Sequence, residues 1–166
     1  MKLNPLVKTK LVILIAVMVV FAGAGAAENL TDAIDVVRAT YKADRQAVLA
    51  ETLQLTESES AAFWPIYRSY RTDMDKLGDG LVKLVLEYAD VYPNVPEKRA
   101  QLMLKEYSAL EQKLAGKRAW YLKRAGRVLP ATKVLRWAQV ENRMDLVLRL
   151  QIAGSVPLVP AAQSKP

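Results

Sequence analysis

Residues 63–91 read FWPIYRSYRTDMDKLGDGLVKLVLEYADV, and the spacing of their apolar side chains decides the fold class. Apolar residues recur at alternating steps of four and three, which is the heptad pattern of a helix that packs along another helix. They are Phe63, Tyr67, Tyr70, Met74, Leu77, Leu81, Leu84, Tyr88 and Val91. A seam of this length needs a long partner helix. Pro65 lies within its first turns and is expected to kink the helix.

The partner helix follows directly in the chain. Residues 92–96 (YPNVP) form a turn, and Pro96 suits the first position of a helix. That helix runs to about Val128, and its seam consists of Met103, Tyr107, Leu110, Leu114 and Tyr121. A short turn between two heptad-patterned helices predicts an antiparallel hairpin. Gly78 and Gly80, inside the first arm, mark either a close contact between the arms or a bend.

Two further helices are predicted on either side of the hairpin. The first begins near Thr31, which can cap it, and ends near Leu53. Its apolar face carries Ile34, Val37, Tyr41 and Val48. The last follows Leu129-Pro130, ends at Gly154 and Pro157, and carries Val134, Trp137, Val140, Met144 and Val147 on one face. The sequence therefore predicts an all-α fold of four helices in one domain, residues 28–154, with a flexible C-terminal tail at 155–166.

Residues 1–27 have the pattern of a secretory signal peptide. Three lysines precede the unbroken apolar run Leu11 to Phe21, and AGAGAA follows it. An uncleaved membrane anchor is the alternative, but it needs about 20 apolar residues. No Cys follows the run, which excludes lipoprotein processing. We expect cleavage after Ala26 or Ala27 and a periplasmic protein.

The composition argues against an enzyme. The chain has no His and no Cys, which removes the usual ligands of zinc, copper and nickel, together with haem attachment and thiol redox chemistry. It has neither a G-x-S-x-G nor an S-x-x-K motif, and no glycine-rich phosphate loop. Without the signal lysines the net charge falls from +7 to +4, with 21 basic and 17 acidic residues. We therefore expect no catalytic residue, no metal and no cofactor.

A helix-start motif opens the long hairpin. In Leu55-Thr56-Glu57-Ser58-Glu59, Thr56 and Glu59 have the spacing of a capping box. This run is either a recognition motif or simply a good helix start. The aromatic residues that follow, Phe63, Trp64 and Tyr67, either pack around Pro65 in the core or line a ligand site.

Five short runs resemble those of uncharacterised proteobacterial exported proteins that share the patterns L-T-x-x-E, F-W-P-x-Y, V-L-P, Q-x-E and P-L-V. Here they read LTESE (55–59), FWPIY (63–67), VLP (128–130), QVE (139–141) and PLV (157–159). This resemblance spans nearly the whole mature chain and implies no known activity.

More remotely, Leu55-Thr56 and the aromatic run behind it resemble the periplasmic stress proteins of the Spy/CpxP type. Those proteins carry L-T-x-x-Q at a helix start and repeat it later. Here Glu59 stands in place of the Gln, and the second copy reads LPATK (129–133). The resemblance implies a four-helix, dimeric cradle whose basic and apolar concave face holds unfolding clients without ATP. CpxP-type relatives instead restrain a sensor kinase.

The charges are unevenly distributed along the chain. Between Gln112 and Val140 there is no acidic residue, and the eight basic ones are Lys113, Lys117, Arg118, Lys123, Arg124, Arg127, Lys133 and Arg136. One interpretation is a solvated surface that acids of the hairpin partly neutralise. The other is an electropositive patch, interleaved with aromatic residues, that attracts acidic segments of proteins or anionic lipid headgroups. Nucleic acid would suit the same composition, but an exported protein rarely meets it.

These observations predict an ATP-independent periplasmic holdase or envelope-stress adaptor that binds unfolded or envelope proteins. The predicted binding residues are Arg118, Trp120, Tyr121, Arg124, Arg127, Lys133, Arg136 and Trp137, together with the motif residues Leu55, Thr56, Glu59, Phe63, Trp64 and Pro65. The alternative is a dedicated, non-enzymatic partner of one envelope component, either a sensor domain or anionic lipid. The long seams can be satisfied within one chain or across a homodimer.

Overall fold

The computed structural model describes residues 45–161, and within them the chain is all-α, as predicted. Four helical stretches follow one another and no strand occurs in this part of the chain. They are α1 (residues 45–53), α2 (Glu57–Val91), α3 (Glu97–Ala125) and α4 (Ala131–Ser155). The predicted signal peptide at 1–27 and the predicted helix start at Thr31 lie outside the described residues, as do Ile34, Val37 and Tyr41.

The capping box at the start of α2 is confirmed. The Glu59 backbone N–H donates to the Thr56 hydroxyl oxygen at 3.3 Å, and the Thr56 N–H donates to the Glu59 carboxylate at 2.8 Å. Both bonds satisfy donors that a helix N-terminus leaves without a partner. From this cap α2 continues through Pro65 to Val91 as one helix.

The antiparallel hairpin is formed by α2 and α3. The ammonium of Lys117 donates to Asp73 at 2.9 Å near one end of the pair, and Arg99 donates to Glu87 at 2.5 Å near the other. α3 ends at Ala125, three residues before the predicted Val128. There the N–H groups of Gly126 and Leu129 bond to carbonyls of the last turn and start the bend into α4.

The core fills the space between the hairpin, α1 and α4, and aromatic rings dominate it. Trp137 of α4 is 1 % exposed and lies at its centre, with ring centroids 5.3 Å from Phe63 and 5.1 Å from Tyr70. Edge-to-face contacts of this kind add to the gain from burying apolar area. The core residues are Leu49, Leu53, Phe63, Ile66, Tyr67, Tyr70, Met74, Leu114, Tyr121, Ala125, Leu129 and Trp137. The seam predicted for α2 therefore packs as expected over its first half.

The predicted apolar faces fail at a few positions. Val48 is exposed, because α1 instead turns Arg45, Leu49 and Leu53, which are spaced four apart, toward the other helices. Tyr107 of the α3 seam and Val147 of the α4 face are exposed as well. Heptad spacing places a residue on a helix face, but that face is buried only where another element covers it.

Gly80 marks a close contact between the hairpin arms, one of the two predicted explanations. A Cβ at this position would lie 2.9 Å from a terminal methyl carbon of Leu110, whereas a Cβ at Gly116 on α3 would have no heavy atom within 4 Å. We expect Gly116→Ala to raise the free energy of unfolding by about 1 kcal/mol through helix propensity. Gly80→Ala should gain clearly less, because Leu110 must move. Urea denaturation of both variants measures this, and an equal gain at the two positions would rule out the contact.

The segment after α4 begins against α2. α4 passes Gly154 and ends at Ser155, and the Tyr88 hydroxyl then donates to the Pro157 carbonyl at 2.8 Å. Leu158 and Val159 beyond it are exposed. Since α4 starts beside Glu59, where Lys133 donates at 2.5 Å, and ends beside Tyr88, it runs parallel to α2.

Candidate functional site

Of the predicted binding residues, Trp120, Arg124 and Arg127 are exposed beside Lys123, a cation of the basic stretch that was not predicted to bind. We call these four residues the basic-aromatic cluster. Their spacing of three, four and seven places them on one side of the chain at the C-terminal end of α3. Trp120 is 51 % exposed, and the guanidinium carbon of Arg124 lies 5.3 Å from its ring centroid. The four side chains line a cavity of about 180 Å³. A cation over an indole face is attracted by the ring quadrupole, which orients both groups.

The cations of this cluster keep their charge available to a partner. Within residues 45–161, the salt bridges of the structure involve none of Lys123, Arg124 and Arg127. Lys123 and Arg124 lie in the last turn of α3, where the partial negative charge of the helix terminus favours cations. The cluster is thus an exposed positive site that is stabilised in place without a carboxylate.

The other predicted cations link helices instead. Arg118 pairs with Asp145 of α4, and Lys133 pairs with Glu59 of α2. Arg136 donates to the Thr52 carbonyl of α1 at 3.3 Å. Acidic partners therefore neutralise Arg118 and Lys133, as the first interpretation predicts, and the cluster fits the second interpretation of an open patch. Arg136 bonds to a neutral carbonyl and keeps its charge exposed.

The structure places two predicted binding aromatics in the core. Trp137 and Tyr121 are both buried, so neither adds apolar contact to an outer surface. Tyr121 packs edge-on against Tyr70 at 5.5 Å between centroids, and its hydroxyl donates to Asp73 at 2.9 Å. Of the aromatics predicted for the binding surface, Trp120 is the exposed one.

Some motif residues at the start of α2 pack in the core, and others line a groove. Phe63 is fully buried against Trp137. Trp64 is half-buried, and its indole N–H donates to the Ser60 hydroxyl at 2.7 Å. Leu55, Thr56, Trp64 and Pro65 help to line an open groove of about 540 Å³, whereas Glu59 serves the cap described above. Core packing therefore explains Phe63. Of the motif residues, only those at the surface help to line the groove.

A second exposed surface lies on α4, and sequence reasoning missed it. Leu135, Leu146 and Leu150 are 59 %, 56 % and 74 % exposed. Their spacings of eleven and four return to one side of a helix, so we call them the outer leucine face. The sequence shows that these leucines share one side of α4. It does not show which side is exposed, because the buried side of α4 is also rich in apolar residues.

A buried ion cluster joins all four helices, and no sequence pattern predicted it. Arg45 of α1 donates to Glu141 at 2.8 Å and to Asp145 at 2.7 Å, and both Arg45 and Glu141 are 3 % exposed. Arg71 of α2 donates to Glu141 at 3.3 Å and to Asp75 at 2.6 Å. Arg118 of α3 completes the cluster through Asp145. The Q-x-E run contains Glu141, and it is the one signal that could have suggested this centre.

Two tyrosines beside the ion cluster stay neutral. Burial, followed by the negative charge of Glu141, raises the pKa of Tyr67 far above its usual range, and the same causes raise that of Tyr70. The Tyr67 hydroxyl donates to Glu141 at 3.2 Å. For Arg71, burial lowers the pKa, but the carboxylates of Glu141 and Asp75 outweigh this and raise it overall. These groups hold fixed protonation states, as suits a structural centre.

Two ion pairs near the surface make the free energy of unfolding depend on pH in the acidic range. Hydrogen bonds from Lys117 and then Tyr121 lower the pKa of Asp73 below its ordinary 3.8, and those from Lys133 and then Thr56 lower that of Glu59 below 4.5. Carboxylates with lowered pKa values stabilise the fold fully above the ordinary values, and this contribution is lost as the pH falls through the folded values. We expect Asp73→Asn to be less stable than the parent at neutral pH and to converge with it in acid. Urea unfolding over a pH series measures this, and a constant difference would contradict it.

Within residues 45–161, no helix is long and apolar enough to span a membrane, and no three potential metal-ligating side chains come together. The chain matches no protein-family model, no curated protein and no solved structure. Candidate binding surfaces in this part of the chain include the basic-aromatic cluster, the outer leucine face and the groove at the start of α2.

Proposed function

We propose that this chain is an ATP-independent, non-catalytic binding protein of the periplasm, a holdase or envelope-stress adaptor for unfolded or envelope proteins. The observation that carries the proposal is the exposure of large apolar side chains on α4 and, among residues 45–161, of cations without a salt bridge at the end of α3. Leu135, Leu146 and Leu150 offer apolar contact, and the basic-aromatic cluster offers positive charge. A chain that buries an aromatic core and still exposes these leucines has apolar surface available to bind a partner.

Weak contacts of this kind suit clients that have no fixed shape. Each exposed leucine can contact any apolar segment, and such a contact depends on area rather than on a particular geometry. Long-range attraction by the cluster raises the rate at which acidic segments arrive, and salt weakens it. The ion cluster and the aromatic core supply the rigid support from which these side chains project.

The resemblance of LTESE (55–59) and its aromatic run to Spy/CpxP-type proteins supports the same function. The structure adds that Thr56 and Glu59 act as a cap. In the proposed function these motif residues position the scaffold, while the clients contact α3 and α4.

Light scattering during the aggregation of two unrelated denatured proteins tests the proposal. We expect the purified, processed chain to suppress aggregation of both without ATP, and to do so less well at high salt. Replacing Leu135, Leu146 and Leu150 with Ser should weaken suppression, because it removes apolar contact from positions that the core does not use. Absence of suppression at several-fold molar excess would overturn the holdase proposal.

A dedicated partner is the second candidate, and the compactness of the basic-aromatic cluster favours it. One exposed Trp beside two Arg residues and one Lys has the composition of a binding hot spot. A protein of this kind should recover one component from an envelope extract, whereas a holdase should bind several unrelated unfolded proteins. Pull-down with the parent chain and with Trp120→Ala separates the two.

A further inference from the structure

The basic-aromatic cluster has the chemistry of a lipid-headgroup contact. We propose that Trp120, Lys123, Arg124 and Arg127 dock the protein onto the surface of an anionic phospholipid membrane. The inference rests on the envelope location in the proposed function, but it does not require client binding. It concerns attachment to a membrane surface and involves no helix that spans one.

The exposed positions of the cluster fit a flat, charged partner. All three cations are exposed, and Trp120 projects half of its surface into solvent between them. The cavity that they line, about 180 Å³, is small beside the 300–1,000 Å³ or so typical of ligand pockets. A site of this size suits a phosphate group at a surface better than a whole small molecule.

Charge complementarity identifies the partner. The chain carries no acidic residue between Gln112 and Val140, so no carboxylate of this stretch repels a phosphate. A nearby Lys or Arg contributes about 1 kcal/mol to binding an anionic membrane, so three together correspond to about a hundredfold in partitioning. The nearest cations along the chain, Lys117 and Arg118, are already paired with Asp73 and Asp145. The attraction therefore centres on the cluster.

Trp120 makes a lipid surface a better fit than an acidic peptide. An exposed indole combines an apolar ring with a polar N–H, and such rings concentrate at the boundary between headgroups and acyl chains. Arg124 lies over the ring, so that the cation and the indole approach the boundary together. The outer leucine face lies on α4, so contact with a membrane through the cluster does not use the leucines proposed to give clients their apolar contact.

Co-sedimentation with vesicles tests the inference. We expect the processed chain to bind phosphatidylcholine vesicles that contain phosphatidylglycerol, to bind pure phosphatidylcholine weakly, and to be released by high salt. The variant Lys123→Gln/Arg124→Gln/Arg127→Gln should bind the anionic vesicles about a hundredfold more weakly. A matched control, Lys98→Gln/Lys105→Gln/Arg143→Gln, removes the same charge from other exposed positions and should lose far less.

Trp120→Ala supplies a second measurement. It should reduce binding to anionic vesicles while circular dichroism shows an unchanged fold. Equal binding by the cluster variant and its control would overturn the inference, as would equal binding to neutral and anionic vesicles. If the parent chain binds anionic vesicles but does not suppress aggregation, the holdase proposal fails and the lipid inference stands.

Discussion

Glu141→Gln should cost about 3–5 kcal/mol of folding free energy, the largest effect expected from neutralising a carboxylate among residues 45–161. Glu141 is 3 % exposed and accepts hydrogen bonds from Arg45, Arg71 and Tyr67. Without its charge, the buried guanidinium of Arg45 and the partly buried one of Arg71 lose a carboxylate partner, and a buried charge is costly to leave without full compensation. The loss is a large share of the stability of a domain of this size.

A partly exposed carboxylate provides the control. Glu111 of α3 pairs with Arg149 of α4, and the two side chains are 34 % and 41 % exposed. Glu111→Gln should therefore cost no more than about 1 kcal/mol. Urea denaturation followed by circular dichroism measures both variants, and similar losses for Glu141→Gln and Glu111→Gln would show that the ion cluster does not hold the helices together.

Trp137→Ala should destabilise the protein by about 3–5 kcal/mol, the range for truncating a large buried aromatic. The indole lies against Phe63, Tyr67 and Tyr70 of α2, so its removal leaves a cavity where α4 meets the hairpin. The Trp137 indole N–H has no hydrogen-bond acceptor among the described residues. Its removal therefore breaks no hydrogen bond there, which helps to keep the cost within this range. Trp137→Phe, which removes this donor and keeps a ring, should cost clearly less.

Trp120 is the matched control for Trp137. It has the same side chain on the neighbouring helix but is half exposed. Trp120→Ala should change the free energy of unfolding by less than about 1 kcal/mol, as is usual for a surface substitution. Thermal unfolding of the two alanine variants should therefore give a large shift for one and a small shift for the other. The reverse order would show that the side of α4 that carries Trp137 does not face the core.

The all-α fold class could be predicted because heptad spacing can be recognised in one helix before its partner helix is known. The seam from Phe63 to Val91 and the turn at Tyr92–Pro96 predicted the hairpin, and Thr56 and Glu59 predicted the cap. The buried face of α1 was missed, because Arg45 has the properties of a surface residue until Glu141 and Asp145 of α4 are known to lie beside it. Pairs almost a hundred residues apart leave no local pattern.

The candidate site was predicted only in part, for a related reason. Proximity in sequence placed Trp120, Tyr121 and Trp137 with the basic residues, but a helix turns its side chains to different sides. Trp120 therefore faces solvent, whereas its neighbour Tyr121 enters the core. Likewise, the sequence showed Lys133 and Arg124 as equal cations, although one is paired with Glu59 and the other lies over an indole. Only the packing of four helices separates them.

Site-specific photo-crosslinking tests most directly whether clients bind the exposed surface of α3 and α4. A photoreactive residue is placed at Leu146 on the outer leucine face, at Arg124 in the cluster, and at Thr72, an exposed position of α2, as the control. Irradiation with two unrelated unfolded proteins should give adducts with both at 146 and 124, and few at 72. Adducts absent from all three positions, or equally abundant at 72, would contradict the proposed function.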